Sequence, residues 1–262
     1  MACCRLVIGW LTVVCLLCAF AASARAENER LDIGISTNEI AITSDFAGAD
    51  LTVFGALDNA DPLLLQLGQY DIIVALEGPA REMIVRKKER VFGIWINRYA
   101  MRFEPAPASY SLSSTLPIDR IAEQIELSGR TIGIEHILLT PAGNVGDGSR
   151  VPEFREALLR LQVEDGIYQS EPVGVEFVSS SLFRATLRLP ANIPVGEHKL
   201  RAFLFKSNEF VMERELRLRV LKTGVEQFIF ELAHQHAFVY GLLAVLLAIV
   251  TGWLGSIMFR RD

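Results

Sequence analysis

The sequence predicts a mainly β protein, built from immunoglobulin-like β-sandwich modules with a helical connector and one C-terminal transmembrane α-helix. Three observations carry this prediction. Many short segments alternate apolar and polar residues, as half-buried strands do. Two longer segments between them have helical spacing instead. Near the C-terminus, residues 237–259 form a run of 23 residues without a charge.

The chain begins with a segment typical of a secretory signal peptide. Arg5 precedes an apolar run over residues 6–20, and small residues then lead to the tripeptide ARA at 24–26, an A-x-A cleavage pattern. The predicted signal peptide is therefore 1–26. All four cysteines lie inside it, so the mature chain has none, which excludes disulfides, thiolate catalysis and cysteine-ligated metal sites.

The strand candidates in the central part of the chain differ in how clearly they alternate. Alternation is clearest in "LTVFGAL" (51–57), "LFRATLRL" (182–189) and "ERELRLRV" (213–220). Shorter candidates are residues 31–36, 39–43, 70–76, 83–86, 91–97, 173–178 and 199–206. Ten short strands separated by turn residues are typical of antiparallel sandwiches rather than of a parallel α/β sheet.

Two segments have the spacing of helices. In "TLPIDRIAEQIELSG", Thr115 can act as the N-cap and Gly129 follows the last turn. In "VPEFREALLRLQVEDG", Phe154, Leu158 and Leu161 form an apolar stripe.

These helices divide the predicted ectodomain. The prediction is an N-terminal β-sandwich-like domain over 27–112, a helical connector over 113–169 and a C-terminal β-sandwich-like domain over 170–223. The last segment is short for a complete immunoglobulin-like domain. It therefore has two alternatives. It stands as a separate module, or it borrows a strand or packs its open face on the helices and so forms one continuous unit with the rest.

The C-terminal segment is predicted to anchor the chain. Residues 224–236 have amphipathic helical spacing, and residues 237–259 would give a helix of roughly 34 Å, enough for a hydrocarbon core of about 30 Å. Two arginines in the tail, 260–262, place the C-terminus in the cytoplasm by the positive-inside rule. The prediction is a single-pass protein of the bacterial inner membrane, with most of the chain in the periplasm.

One ridge of this helix carries small residues at every fourth position: Ala244, Ala248, Gly252 and Ser256. Such a ridge allows close approach of two helix backbones. We therefore predict a helix-packing face that contacts another integral membrane protein or a second copy of the chain, while the opposite surface contacts the lipid bilayer.

The net charge limits the partners of the exposed domain. Excluding the predicted signal peptide and the residues from 237 onward leaves 22 of the 26 basic and 30 of the 31 acidic residues. The exposed part is thus acidic, and this charge argues against nucleic acid and anionic lipid surfaces as partners.

One basic cluster stands out against this acidic background. Arg86, Lys87, Lys88 and Arg90 lie between two strand candidates and form a possible anion-binding site. The alternative interpretation is a solvated hairpin.

Other patterns favour ordinary structural roles. His234 and His236 have H-x-H spacing, but on a helix their side chains diverge by about 200°, so a membrane-boundary position is favoured over a metal site.

The loop "GNVGDGS" has no lysine after its glycines, which favours a surface loop over a phosphate site. Asp45, Asp50, Asp58 and Asp61 fit no calcium-loop template, so turn chemistry is the favoured role. No cofactor, metal or catalytic residue is predicted.

Three stretches together resemble a known family: "FREALLRLQVEDGIY", "LFRATLRLPANIPVGEHKLRAFLF" and "EQFIFELAHQHAFVYGLLAVLLAIVTGW". The sequence is similar to the family of putative transmembrane proteins of Alphaproteobacteria over nearly the whole mature chain. The resemblance implies an inner-membrane protein with a periplasmic domain and an uncharacterised activity. It also points to an association with an anion exporter, and it implies no catalytic residues.

These observations lead to one functional hypothesis and one alternative. The hypothesis is a single-pass inner-membrane protein whose periplasmic β domain acts as a protein-interaction or accessory module of a membrane complex. The alternative is a membrane-anchored periplasmic ligand-binding or sensing protein, which requires a pocket with convergent polar groups between the two β halves. We do not expect an enzyme.

Overall fold

The computed structural model describes residues 29–43, 45–143, 148–223 and 232–258, with residues 256–258 described by their backbone alone. Three predicted segments lie wholly or mostly outside this part of the chain: the signal peptide, the cytoplasmic tail and the juxtamembrane helix, of which only 232–236 is described.

Within the described residues the chain forms 13 strands. They are β1 (Arg30–Ile35), β2 (Glu39–Ile42), β3 (Ala49–Asp58), β4 (Tyr70–Glu77), β5 (Ala80–Val91), β6 (Ile94–Pro107), β7 (Tyr110–Ser114), β8 (Pro141–Ala142), β9 (Tyr168–Pro172), β10 (Val175–Phe177), β11 (Leu182–Leu189), β12 (Gly196–Lys206) and β13 (Glu209–Lys222). The helices are α1 (Pro62–Gln66), α2 (Ile118–Ile121), α3 (Gln124–Gly129), α4 (Val151–Glu164) and α5 (Ala237–Met258). The mainly β architecture and the C-terminal apolar helix are thus confirmed.

The strands form three sheets. A four-stranded sheet has the order β1-β3-β11-β10, a six-stranded sheet has the order β2-β13-β12-β4-β7-β9, and a three-stranded sheet has the order β5-β6-β8. Neighbouring strands are antiparallel except in two pairs, β2 with β13 and β7 with β9, which are parallel.

The four-stranded and six-stranded sheets pack face to face around one of the two core clusters. Alternation in β3 places Leu51, Val53 and Leu57 on the buried face, as predicted from the sequence. The six-stranded sheet contributes alternate residues of β4 and β12, such as Val74 and Leu204, to the same cluster. This packing is the predicted β-sandwich.

The second face of the six-stranded sheet is also covered. Ile73 and Ala75 of β4 lie in a second cluster with Ile121 of α2, Leu127 of α3 and Phe154 of α4. A strand that is buried on both faces needs apolar residues at nearly every position, which explains the nearly unbroken apolar run of β4. The molecule therefore has three layers, of which the six-stranded sheet is the middle one.

One partly buried arginine holds the helical layer on the middle sheet. The Arg201 guanidinium donates to Glu213 at 2.7 Å and to Glu77 at 2.9 Å, and it also reaches Thr131 beyond α3 at 3.1 Å. Burial opposes the charged form, but the two carboxylates outweigh this effect and raise the pKa of Arg201. The loop after α3 is thereby tied to β12.

The pairing of strands corrects the predicted division of the chain. β3, from the predicted domain 27–112, pairs with β11, from the predicted domain 170–223, and β4 pairs with β12 in the same way. The predicted connector, 113–169, forms no bridge between two sandwiches, because its helices cover the middle sheet. The described strands form one continuous unit, in which each sandwich sheet uses both segments.

Three local predictions are wrong. Residues 91–97 do not form one strand, because a turn at Phe92 and Gly93 separates β5 from β6. The first helical segment breaks into α2 and α3 at Ala122, which has an extended backbone, and α2 is capped at Pro117 rather than at Thr115. The side-chain hydroxyl of Thr115 instead donates to Asp71 at 2.7 Å.

The second helical segment is confirmed as α4, although its apolar stripe is shorter than predicted. Phe154 and Leu158 are buried, whereas Leu161 is 44% exposed. The sequence pattern missed β7 and β9, which lie at or near the two ends of the predicted connector.

Candidate functional site: a basic hairpin with an apolar tip

The most prominent projection from the sandwich is the hairpin of β5 and β6, which continues a strand pair of the middle sheet. In that sheet β4 pairs with β7, ending at Glu77 opposite Tyr110. The backbone pairing then passes through Gly78 and Pro79, since Gly78 N–H donates to the Ser109 carbonyl at 2.8 Å and Pro79 accepts from Ala108 at 2.9 Å. β5 and β6 follow directly, so one long two-stranded ribbon runs from the sheet into the hairpin.

The ribbon leaves the middle sheet at a defined end. β4 and β13 are both antiparallel to β12, so they run parallel to each other and end on the same side of the sheet. Lys199 of β12 lies opposite both Glu77 of β4 and Arg217 of β13, and β13 ends at Lys222. From there the sequence continues toward α5. The hairpin base and the C-terminal end of β13 therefore share one end of the sheet.

Helix α4 supports the first half of the hairpin. Lys87 forms an ion pair with Glu153 at 2.5 Å, and the Arg150 guanidinium carbon lies 3.9 Å from the ring centroid of Tyr99. Val85 and its cross-strand partner Met101 are buried. The hairpin is thus held in place as far as Lys87 and Tyr99.

Beyond this support lies the part that we call the hairpin tip, residues 88–98. Phe92 is 101% exposed, Ile94 67% and Trp95 66%. Soluble domains rarely leave three adjacent large apolar side chains in water without a use for them. These exposed side chains occupy one end of the ribbon, so the hairpin tip is a candidate contact surface.

The turn at the hairpin tip has an unusual residue at its first position. Phe92 has φ 49° and Gly93 has φ 85°, the pair of positive values that a two-residue type I′ turn requires. Asn, Asp or Gly normally occupies the first position, because a left-handed conformation costs other residues about 1–2 kcal/mol. Phe92 therefore combines an unfavourable backbone conformation with full exposure of an aromatic ring.

A second hairpin of the same chain provides an internal comparison. β12 and β13 are joined by Ser207 and Asn208, with φ 50° and 69°. This turn has positive φ values at the same two positions, but its residues are polar. It lies at the opposite end of the middle sheet from the exit of β13, since it immediately precedes β13. Of these two turns, the aromatic one belongs to the hairpin that starts at the end of the middle sheet where β13 ends.

The predicted anion-binding residues all lie on this hairpin. Arg86, Lys87, Lys88 and Arg90 are exposed side chains of β5. Among the described residues, no carboxylate lies within ion-pair distance of Arg86, Lys88 or Arg90, whereas Lys87 is paired with Glu153. The Arg90 Nε donates to the Gly93 carbonyl at 3.3 Å, so it stabilises the turn.

The local charge of the hairpin is opposite to that of the whole domain. Residues 86–98 contain five basic residues and one acidic residue, Glu89, which pairs with Arg98 at 3.0 Å. In the register of the strands, Arg90 lies directly opposite Trp95. The structure therefore brings together two features that the sequence did not connect, the basic cluster and an exposed apolar tip.

Two cavities lie elsewhere on the β domain. One, of about 270 Å³, is lined by polar side chains including Asp50, Glu171 and Arg188, and it sits where the four-stranded and six-stranded sheets meet β9 and β10. The other, of about 360 Å³, is mostly apolar and lies beside the ribbon base, between Pro79 and Leu138. Neither cavity is lined by the predicted anion-binding residues.

The described contacts of Asp45 and Asp61 are those of a turn and a helix cap. In the part of the chain that the structure describes, no group of three or more His, Cys, Asp or Glu side chains is placed to hold a metal ion. Asp61 instead caps α1 by accepting from Leu63 N–H at 2.8 Å, and Asp45 accepts from the Thr43 hydroxyl. These contacts agree with turn chemistry. Most of the glycine loop, residues 144–147, lies outside the described residues.

Helix α5 carries the other predicted site. It is the one helix within the described residues that is long and apolar enough to cross a membrane, and none of its most apolar stretch is buried. Ala244, Ala248 and Gly252 are exposed, and Ser256 has a helical backbone. The Thr251 hydroxyl donates to the Leu247 carbonyl at 2.8 Å, so this polar group is satisfied within the helix.

Comparisons with known proteins give one family match. The model of a family described as "Putative transmembrane protein (Alph_Pro_TM)" matches residues 30–261. Among curated proteins, none matches the sequence significantly.

Two solved structures are among those that match the chain. AggA, the major subunit of aggregative adherence fimbriae type I from Escherichia coli, is 9% identical, with 75% of this chain and 97% of that chain covered and a TM-score of 0.26. The N-terminal domain of the Streptococcus gordonii adhesin Sgo0707 is 12% identical. The match covers 73% of this chain and 32% of that chain, with a TM-score of 0.25.

Proposed function

The chain belongs to this family of putative transmembrane proteins, and from that premise we propose a function in assembly. It is a single-pass protein of the bacterial inner membrane, and its periplasmic β domain serves as an interaction or accessory module of a membrane complex. One observation carries the proposal: α5 has small residues along one ridge of an otherwise bulky apolar surface.

The ridge of α5 is suited to a second helix. Ala244, Ala248, Gly252 and Ser256 follow one another every four residues, so the ridge turns by only about 40° at each step. Small side chains let a neighbouring backbone approach closely, and this geometry favours a right-handed crossing. An anchor alone needs only apolar bulk, which the opposite surface provides.

The partner of this ridge is another integral membrane protein or a second copy of the chain. The resemblance noted from the sequence points to an anion exporter as the associated complex. On this proposal the β domain extends the complex into the periplasm, where the edges of its sheets are available for contacts.

Cross-linking through single cysteines tests the proposal, because the mature chain has no cysteine of its own. A cysteine at Ala248 should give a specific adduct with the partner or with a second copy in native membranes. A cysteine at Leu246, about 160° away on the helix, serves as the matched control and should not.

Bulky substitutions provide the second arm of this experiment. Ala248→Leu combined with Gly252→Leu should lower recovery of the partner by about tenfold, because the backbones can no longer approach. Leu246→Ala combined with Val250→Ala removes bulk from the opposite surface and should leave recovery unchanged. If the ridge variant recovers as much partner as the wild type, the proposal is wrong.

The alternative function, a membrane-anchored ligand-binding or sensing protein, is favoured by one observation. The cavity of about 270 Å³ lies between strands of both sheets and is lined by Asp50, Glu171, Glu176 and Arg188. Glu176 is paired with Arg184 and Asp50 lies 3.9 Å from Arg188, whereas Glu171 has no ion-pair partner among the described residues. Its carboxylate suits a small solute with a cationic group. A thermal shift that such solutes cause in the wild type, but not in Glu171→Gln, would favour this function.

A further inference from the structure

We propose that the hairpin tip docks on the anionic phospholipid surface of the bilayer that α5 crosses. Phe92, Ile94 and Trp95 insert among the headgroups, while Arg86, Lys88 and Arg90 contact the lipid phosphates. This inference rests on the membrane anchoring in the proposed function, but not on a partner for the ridge of α5.

The apolar side chains of the hairpin tip have the composition of a membrane-interface contact. Trp and other aromatic residues are enriched at the level of the lipid headgroups, where an apolar ring and a polar edge can both be accommodated. Phe92, Ile94 and Trp95 are each at least 66% exposed in the described part of the chain. Insertion into the interface would remove all three from water.

The turn residue strengthens this interpretation. A strained backbone that persists at an exposed position commonly marks a functional contact. Phe92 has φ 49°, although Asn or Gly at this position would relieve the strain and remove an apolar ring from water. The Ser207-Asn208 turn shows that this chain uses polar residues where the same backbone geometry lies at the far end of the sheet.

The charges near the hairpin tip are complementary to an anionic surface. Arg86, Lys88 and Arg90 have no carboxylate partner among the described residues, so they remain available for phosphates. Each basic residue close to an anionic leaflet adds to the attraction. The rest of the domain is acidic overall and is repelled by the same leaflet, so the basic hairpin tip is better suited to approach it than the domain as a whole. The net charge of the whole domain argued against anionic lipid as a partner. That sum does not show the local excess of basic residues on the hairpin, where residues 86–98 contain five basic residues and one acidic residue.

The position of the hairpin fits this contact. Its base and the exit of β13 toward α5 lie at the same end of the middle sheet. Residues 88–92 extend past the part held by α4, a reach of about 16 Å at roughly 3.3 Å per residue. This reach allows the apolar tip to contact a surface without displacing the helical layer.

The fluorescence of Trp95 provides a direct test in the full mature chain. Substitution of Trp253→Phe leaves Trp95 as the sole tryptophan after the signal peptide. This chain is reconstituted into vesicles of phosphatidylcholine with or without about one-third phosphatidylglycerol, and quenching by acrylamide and by headgroup-region brominated lipid is measured. With phosphatidylglycerol present, acrylamide quenching should fall about threefold and brominated lipid should quench Trp95.

Two variants separate the contact from the fold. Phe92→Asn gives an Asn-Gly turn, which favours the same hairpin, and it should weaken quenching by brominated lipid at unchanged or higher thermal stability. Replacement of Arg86, Lys88 and Arg90 by glutamine should remove the dependence on phosphatidylglycerol. The matched control replaces Arg184, Arg188 and Arg217 by glutamine, which changes the net charge equally and should leave the dependence intact.

Several results would overturn the inference. One is equal exposure of Trp95 to acrylamide in both kinds of vesicle and in detergent. Another is protection of Trp95 only in native membranes that contain other proteins, which would assign the hairpin tip to a protein partner. Cross-linking through Ala248 should be the same in the hairpin variants and the wild type, so failure of the lipid contact is distinguishable from failure of the proposed function.

Discussion

His198 illustrates how a single buried side chain couples this fold to pH. It is fully buried, its Nε2 lies 3.3 Å from the Ser109 hydroxyl, and its Nδ1 lies 3.3 Å from the Gly196 carbonyl. Burial lowers the pKa of His198, and the positive charge of Arg81 lowers it further, while the Gly196 carbonyl opposes both effects. The imidazole is therefore neutral in the folded protein at pH 7.

This protonation state predicts a loss of stability in acid. Between the lowered pKa of the folded state and the ordinary pKa of about 6.5, the unfolded chain binds more protons at His198 than the folded chain does. The free energy of unfolding should therefore fall as the pH falls below about 6.5. Denaturant titrations of the detergent-solubilised protein at pH 7.5 and 5.5 measure this change.

The variant His198→Gln isolates the contribution of the imidazole. It cannot titrate in this range, so it should lose less stability than the wild type over the same pH interval. Equal losses in the two proteins would show that His198 does not contribute to the pH dependence.

At the scale of strands, one glycine determines how closely two neighbours pack. Gly55 of β3 lies opposite Phe183 of β11, and a Cβ at Gly55 would lie 2.2 Å from the Phe183 ring and 2.9 Å from the Asp32 carbonyl. The aromatic ring thus covers the glycine, which compensates for the side chain that the strand lacks. The position tolerates no added atom without movement of β11 or β1.

Gly55→Ala should therefore destabilise the protein by about 1–3 kcal/mol through overpacking. Gly34→Ala is the matched control on β1, because a Cβ at Gly34 would have no atom within 4 Å. Thermal or denaturant unfolding of both variants compares the two sites. If Gly55→Ala were as stable as Gly34→Ala, the ring of Phe183 would not hold β3 and β11 in this register.

The same scale shows which elements a sequence can predict. β3 and β11 alternate clearly, because each has one buried and one exposed face along most of its length, and β13 alternates in the same way over its second half. β7 was missed, because the alternation of Tyr110 and Leu112 with serines covers only four residues and no apolar run accompanies it. The turn at Phe92 was missed because an aromatic residue at that position is not a turn signal.

At the scale of the whole molecule, the sheets combine segments that are distant in the sequence. The ion pair between Glu77 and Arg201, for example, joins residues 124 positions apart. Such pairings cannot be read from local patterns, and this explains why the chain was divided into two sandwiches. The same limit applies to the candidate site. The sequence located its basic residues, but only the pairing of β4, β12 and β13 shows that their hairpin starts at the end of the middle sheet where β13 ends.

The mixed sheets predict that the two segments do not fold separately. Fragments 27–112 and 170–223 should each lack stable tertiary structure, because β3 and β4 would lose their neighbours β11 and β12. Co-expression of 27–169 with a fragment from 170 onward should restore a folded complex. Dispersion of amide signals in NMR spectra measures both results, and a well-dispersed spectrum from either single fragment would contradict the prediction.

The late position of β12 and β13 in the sequence has a consequence for how the protein is made. β13 lies between β2 and β12 in the middle sheet, yet it is the last of the described strands. A chain synthesised from its N-terminus exposes the unpaired edges of β3 and β4 until more than 100 further residues have emerged. On the proposed topology, the fold therefore closes only when α5 is itself about to enter the bilayer. Completion of the sandwich and entry of α5 into the bilayer would thus occur at nearly the same stage of synthesis.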